Sequence, residues 1–264
     1  MILDNKYASP PSNDVVIEVC QLSAVFRNGD GGLQALDQLS FSVHDQEFLC
    51  VLGPSGSGKS TLLRILAGLL PPTAGDVFYR GERLCGPKEG IGFVFQNANL
   101  MPWRSVLRNI TLPLEVNGLP AASSSKRAQE MVELVALDGF EDTLPRDLSG
   151  GMAQRVAIGR ALVHDPDVLL LDEPFGALDA LTRERMGIEL LRIWQARRKT
   201  VIMVTHSISE ALFLADRVLV LSHRPGKLRQ DINVSLPRPR QDSMRYTQTF
   251  GNLARQLRTA IGEK

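Results

Sequence analysis

Residues Glu47–Thr61 read EFLCVLGPSGSGKST. Glu47 to Leu52 is almost wholly apolar, as a strand buried on both faces of a sheet should be. Gly53-Pro54-Ser55-Gly56-Ser57-Gly58-Lys59-Ser60 then matches G-x-x-x-x-G-K-[ST] in full, with Thr61 beside it. Lys59 to Leu70 is patterned as a helix that Pro71 and Pro72 stop. Strand, glycine turn and helix together make this a phosphate loop. The glycines let the chain fold around phosphates, with backbone N–H groups pointing inward. Lys59 is expected to reach β- and γ-phosphates, and the Ser60 hydroxyl to ligate Mg²⁺.

Outward from this stretch, Val15–Cys20 and Phe41–Val43 read as strands, the second turning at His44–Gln46 into Glu47–Leu52. Downstream, Ile91–Phe95, Val168–Asp172, Thr200–Thr205 and Arg217–Ser222 are strand-like, with helices near 180–196 and 207–214. That alternation predicts a mainly parallel sheet in an α/β fold. Residues 97–162 differ: Ala128, Met131, Val132 and Val135 recur at helical spacing, and no strand-like run appears, so a mostly helical insertion is expected. Near the C-terminus, Phe250, Leu253, Leu257 and Ile261 fall on one helical stripe, either packed on its own domain or offered to a partner. In VLLLDEP, Asp172 ends a buried strand, where α/β sheets bind ligands, and is expected to hold Mg²⁺ through water. Glu173, one residue on, suits a general base for an attacking water.

Bulk composition narrows the classes. The 264 residues are 44 % hydrophobic and 22 % charged, ordinary for a globular chain. A formal net charge of +1 gives no reason to expect nucleic acid. Cys20, Cys50 and Cys85 show no C-x-x-C spacing, which suits a reducing compartment and buried thiols. Residues 1–13 read as a flexible tail without the pattern of a secretory signal. No apolar run approaches the roughly 18 residues of a membrane span.

A second turn of unrelated sequence also seeks phosphate: LSGGMAQRVAIGR, Leu148–Arg160, a serine and glycines opening a helix. Leu148-Ser149-Gly150-Gly151-Met152-Ala153-Gln154-Arg155 resembles the signature motif of ABC ATPases. Other stations of that family stand in order. Gln96 closes the strand IGFVFQ like the Q loop, GALD (Gly176–Asp179) follows Glu173 like the D loop, and VTH ends at His206 like the switch histidine. Phe26 lies where the family places an aromatic ring under adenine, without the hydroxyl of the tyrosine common there. Ala153 and Gly159 replace residues more usual in the signature helix, and Gly159 should cost that helix about 1 kcal/mol against alanine.

The resemblance implies a P-loop NTPase core of RecA type with a mainly parallel sheet, an antiparallel β subdomain and an inserted helical subdomain. Residues 14–264 would form the ATPase domain, with 14–96 and 163–235 as nucleotide-binding core, 97–162 as helical subdomain and 236–264 as a C-terminal helical segment. It implies ATP and Mg²⁺, the metal held by Ser60, Gln96 and Asp172, and catalysis by Glu173, His206 and Gln96. It also implies head-to-tail pairing of two copies, with Leu148, Ser149, Gly150, Gly151 and Gln154 of one copy serving ATP held by the other. Asp179 would touch the opposite copy.

The interval from Asn97 to Asp147 is too short for the coiled coil of DNA-repair and chromosome-structure members, and one cassette per chain differs from the translation-factor members. A separate membrane permease, fed by a solute-binding protein, is therefore the expected partner, with the chain peripheral on the cytoplasmic side of the inner membrane. A soluble non-transport ATPase is the alternative. NANLMPWRSVLRNITLPLE, EALFLADRVLVLSHRPGKL and LPRPR are similar to the nitrate, sulfonate and taurine importer ATPases. Importers of thiamine or pyrimidine precursors share related versions, and THSISEA lacks the acid often found after the histidine. Leu100, Met101, Pro102 and Trp103 would border a groove for the permease, or Trp103 packs internally.

Overall fold

The apolar segments form two sheets with helices between and beyond them. The computed structural model describes residues 15–28 and 31–262; the expected tail, 1–13, lies outside them. The strands β1 (Val15–Asn28), β2 (Gly31–His44) and β3 (Phe48–Leu52) lead into helix α1 (Lys59–Leu66), followed by β4 (Ala74–Tyr79), β5 (Glu82–Arg83) and β6 (Ile91–Val94). Three helices come next, α2 (Val106–Val116), α3 (Ala121–Leu134) and α4 (Gly150–Leu162). The chain then alternates through β7 (Val168–Asp172), α5 (Ala180–Arg197), β8 (Thr200–Thr205), α6 (Ile208–Leu214), β9 (Arg217–Leu221) and β10 (Leu228–Asn233) to α7 (Gln248–Ile261).

The large sheet has the order β10-β9-β3-β8-β7-β6, with every pair parallel except the β10–β9 edge. Its central strands are apolar on both faces because both are covered. Phe48, Cys50 and Leu52 of β3 join the core under α4, α5, α6 and α7, while Leu49 and Val51 face α1 and the antiparallel sheet. That second sheet has the order β2-β1-β4-β5. It is bolted to the base of β7: the Tyr79 hydroxyl donates to Asp167 Oδ2 at 2.7 Å and Arg80 Nε to the same oxygen at 2.8 Å.

Three differences from the expected elements have local causes. β1 and β2 are each 14 residues long, far beyond Val15–Cys20 and Phe41–Val43. Their apolar alternation is broken by bulges at Gln21 (φ 48°) and Gln38 (φ 50°). The serine hydroxyls of Ser40 and Ser23 accept the amides of Gln21 and Gln38. α1 stops at Leu66 because Gly68, at φ 70°, turns the chain hard against Gly86, where a Cβ would lie 2.2 Å from the Gly86 carbonyl. The edge strands β5 and β10 are mostly polar and carry no buried run, and β4, between β1 and β5, buries only Val77.

In α4, Gly159 does not simply weaken the helix. A Cβ there would meet Ile110 of α2 at 3.3 Å and Val135 at 3.5 Å, so the glycine sets how closely these elements approach. The C-terminal stripe is internal: Phe250, Leu257 and Ile261 are buried in the larger core. The preceding Leu236–Arg240 stretch is pinned beside them. Arg238 stacks 4.3 Å from the Trp194 ring centroid and forks onto Asp216, and Arg240 donates to the Ala215 carbonyl at 2.7 Å.

Candidate active site

The turn after β3 folds tightly against β2 because of Gly58. It is the N-cap of α1 at φ 91°, and a Cβ would sit 2.7 Å from the Ala35 carbonyl of β2. Only glycine satisfies both the left-handed backbone and the close approach. Lys59 is 4 % exposed and bends back over the turn, its Nζ donating to the carbonyls of Gly53 at 2.9 Å and Pro54 at 3.0 Å. Burial pulls its pKa below the usual lysine range, and Glu173, whose Oε1 lies 3.6 Å away, opposes that shift.

The parallel strands bring the other groups to the same edge. Ser60 Oγ, one residue on in α1, donates to Asp172 Oδ1 at 2.8 Å. Asp172, 5 % exposed at the end of β7, has its carboxyl pushed above the ordinary range by burial, with the Ser60 hydrogen bond opposing. Glu173 leaves the strand in the left-handed region at φ 43°, its N–H still paired to the Val204 carbonyl at 3.1 Å. Its Oε2 lies 3.0 Å from His206 Nδ1, which follows β8. Gln96, after β6, reaches the same place: its Nε2 lies 3.6 Å from where a Cβ on Gly176 would sit, and Glu173 Oε2 lies 3.7 Å from that point.

Lys59, Ser60, Gln96, Asp172, Glu173 and His206 therefore converge, while Pro54, Ser55, Gly56, Ser57 and Thr61 complete the turn and the start of α1. The other expected residues lie outside this group. Ser149 caps α4, accepting from Met152 N at 3.3 Å. Gly150 and Gly151 pack towards Leu178 and Thr182. Leu148 is half-buried beside them. Gln154 turns inward at 4 % exposure, its Nε2 3.5 Å from the Phe95 carbonyl. Asp179 is exposed and caps α5 through Thr182 N at 3.0 Å, a hydrogen bond that lowers its pKa. Phe26 is 38 % exposed near the end of β1. Trp103 is 74 % exposed, which excludes internal packing. The loop containing it is held by buried Asn109, whose Oδ1 accepts from Met101 N at 2.8 Å.

Several residues that touch the site lie in stretches that carry the resemblance but have no role assigned there. Arg224 Nε donates to the Gly56 carbonyl at 3.2 Å, and Gly226 pairs with Ala35 and Asp37 of β2, joining the phosphate turn to the hairpin that holds Phe26. Thr205 and Glu210, bonded to each other, flank His206. The Arg224 and Gly226 contacts appear only when distant segments are laid side by side.

The ABC transporter family model matches residues 36–176, from β2 through most of the constellation to the loop after Glu173. The chain belongs to the ABC transporter family. Related cassettes extend the likeness over most of its length. An uncharacterised ABC transporter ATP-binding protein of Methanocaldococcus jannaschii is 49 % identical over 226 residues, covering 86 % of this chain and 85 % of its own. An aliphatic sulfonates import ATP-binding protein of Bacillus cereus is 45 % identical over 86 % of this chain and 89 % of its own. A nitrate import ATP-binding protein of Synechocystis is 44 % identical over 84 % of this chain and 83 % of its own. Among solved structures, a dimeric post-hydrolysis ATP-binding cassette bound to ADP and Pi matches with a TM-score of 0.73 at 32 % identity, over 84 % of this ABC ATPase and all of that chain.

Proposed function

We propose that this ABC ATPase hydrolyses ATP to drive an importer for a small solute of the sulfonate or nitrate class. One observation carries the reading: two phosphate-seeking turns lie in one chain, and the Ser149 turn has its contacts on Leu178 and Thr182 rather than on the Lys59 group. Two copies packed head to tail would bring Ser149, Gly150 and Gly151 of one onto the ATP held by the other. Asp179, exposed at the start of α5, would then meet the opposite copy.

Within a site, Lys59 exchanges the Gly53 and Pro54 carbonyls for β- and γ-phosphate oxygens. Phe26 stacks under adenine. Ser60, Asp172 and Gln96 offer the hard oxygen donors that suit Mg²⁺, which usually takes one or two carboxylates with substrate phosphates. Held by these residues, the metal would supply positive charge to the phosphates. Glu173 takes a proton from water as its oxygen bonds to the γ-phosphorus and the bond to the bridging oxygen breaks, giving ADP and phosphate. His206 holds the γ-phosphate and orients Glu173 through its Nδ1 contact. Most of the work is positioning and charge stabilisation.

No helix among the described residues is long and apolar enough to cross a membrane, so a separate permease supplies the passage. The exposed Trp103, with Leu100, Met101 and Pro102, forms the contact for it at the cytoplasmic face of the inner membrane. A solute-binding protein chooses the cargo, and nucleic acid plays no part. Reconstitution tests this reading. Turnover of the chain in vesicles with its permease should rise when binding protein loaded with an alkanesulfonate or nitrate is added. Turnover indifferent to permease and loaded binding protein would remove the importer role.

A further inference from the structure

We propose that Arg183 and Glu210 are positioning residues that tie the Gly176–Asp179 loop to His206, so that seating this loop against a second copy sets the histidine. The inference rests on the roles proposed above for that loop and for His206.

Each member of the pair holds two things at once. Arg183, in the first turn of α5, donates from Nη2 to the Leu178 carbonyl at 2.9 Å, next to Asp179. Its Nε faces Glu210 Oε1 at 3.5 Å. Glu210, in the first turn of α6, uses its other oxygen, Oε2, to accept from the Thr205 hydroxyl at 2.6 Å. That hydroxyl also accepts the Ser207 amide at 3.0 Å, and Ser207 Oγ in turn accepts the Glu210 amide at 3.3 Å. The backbone on either side of His206 is thus wound around one hydroxyl that Glu210 grips. Displacing Leu178 moves Arg183, then Glu210, then Thr205 and the histidine next to it.

Position and burial separate this pair from an ordinary surface ion pair, which contributes little. Thr205, which the pair grips, is 2 % exposed, the Glu210 side chain 13 % and the Arg183 side chain 30 %. The Arg183–Glu210 distance of 3.5 Å also exceeds the roughly 2.7–2.9 Å of a closed charge-assisted bond, which leaves travel for the pair to tighten. A second link between the same loops runs through Glu173, by way of Gly176 N to the Glu173 carbonyl and Glu173 Oε2 to His206. The Arg183–Glu210 route avoids Glu173, so it adjusts the histidine without occupying the base.

Steady-state ATP hydrolysis by the full chain tests the relay. Arg183→Ala, Glu210→Gln and Thr205→Val should each lower kcat by about tenfold, equivalent to about 1.4 kcal/mol, with KM for ATP nearly unchanged. The Arg183→Ala/Glu210→Gln double variant should be no slower than the worse single, as members of one unit are. Arg183→Lys, which keeps the charge but cannot fork to two acceptors, should remain slow; a purely structural ion pair would be rescued by lysine. If Arg183→Ala fails to melt cooperatively, the near-isosteric Glu210→Gln and Thr205→Val carry the test. Additive losses, a KM that rises in step, or lysine rescue overturn the relay. His206→Ala separates the two levels. If it leaves turnover intact, the underlying assignment of His206 fails and the relay with it. If it silences turnover while the Arg183 and Glu210 variants run at the wild-type rate, the relay alone fails.

Discussion

The two glycine turns differ in what satisfies them. The Gly53–Thr61 turn is completed by its own chain: Lys59 spans two of its carbonyls, Ser60 binds Asp172, and Gly58 is pressed against Ala35. The Ser149 turn is a capped helix N-terminus, exposed at Ser149 and Gly150 and backed by Leu178 and Thr182. A site enclosed by its own strands can pre-arrange charge. A turn left at the surface can only finish something brought to it. On the proposed reading, binding and commitment to hydrolysis fall to different parts of the same chain.

The difference between the turns can be tested directly. The largest effect is expected from Glu173→Gln, which should reduce kcat by about 10²–10⁴-fold while ATP binding, read by calorimetry, persists. Near-normal turnover would remove Glu173 as base. Next comes a mixing experiment with Lys59→Ala and Ser149→Arg. Each variant alone should be nearly inactive, and their mixture should regain turnover, because one phosphate turn and one signature turn remain intact across the pair. A mixture as silent as its parts would place both turns in the service of a single chain. Ser149→Ala should lower stability by about 1 kcal/mol through loss of the α4 cap, seen as a reduced melting temperature. The smallest effect belongs to Gly159→Ala. Its propensity gain of about 1 kcal/mol is opposed by the 3.3 Å approach to Ile110, so the melting temperature should barely move. A clear rise would show that α2 yields freely.

The sequence made the contiguous parts of this architecture readable. β3, β7, β8 and β9 are short apolar runs, and the turn after β3 carries its chemistry in adjacent residues. The long β1–β2 hairpin was less legible because bulges at Gln21 and Gln38 break its period. Gln154 shares a motif with Ser149, yet helical geometry turns it into the core. Glu210 and Arg224 stand in stretches that carry the resemblance, yet their contacts and those of Arg183, to partners 5, 168 and 5 residues away, are announced by no pattern of residue types.

Glu173 has one more consequence. Its left-handed backbone suits glycine or asparagine better than a long acid, and such conformations cost on the order of 1–3 kcal/mol where other residues are held in them. A chain selected for durability alone would drift away from glutamate at this position. Its retention would have to come from use, and copies released from hydrolysing ATP should lose it early while keeping their fold.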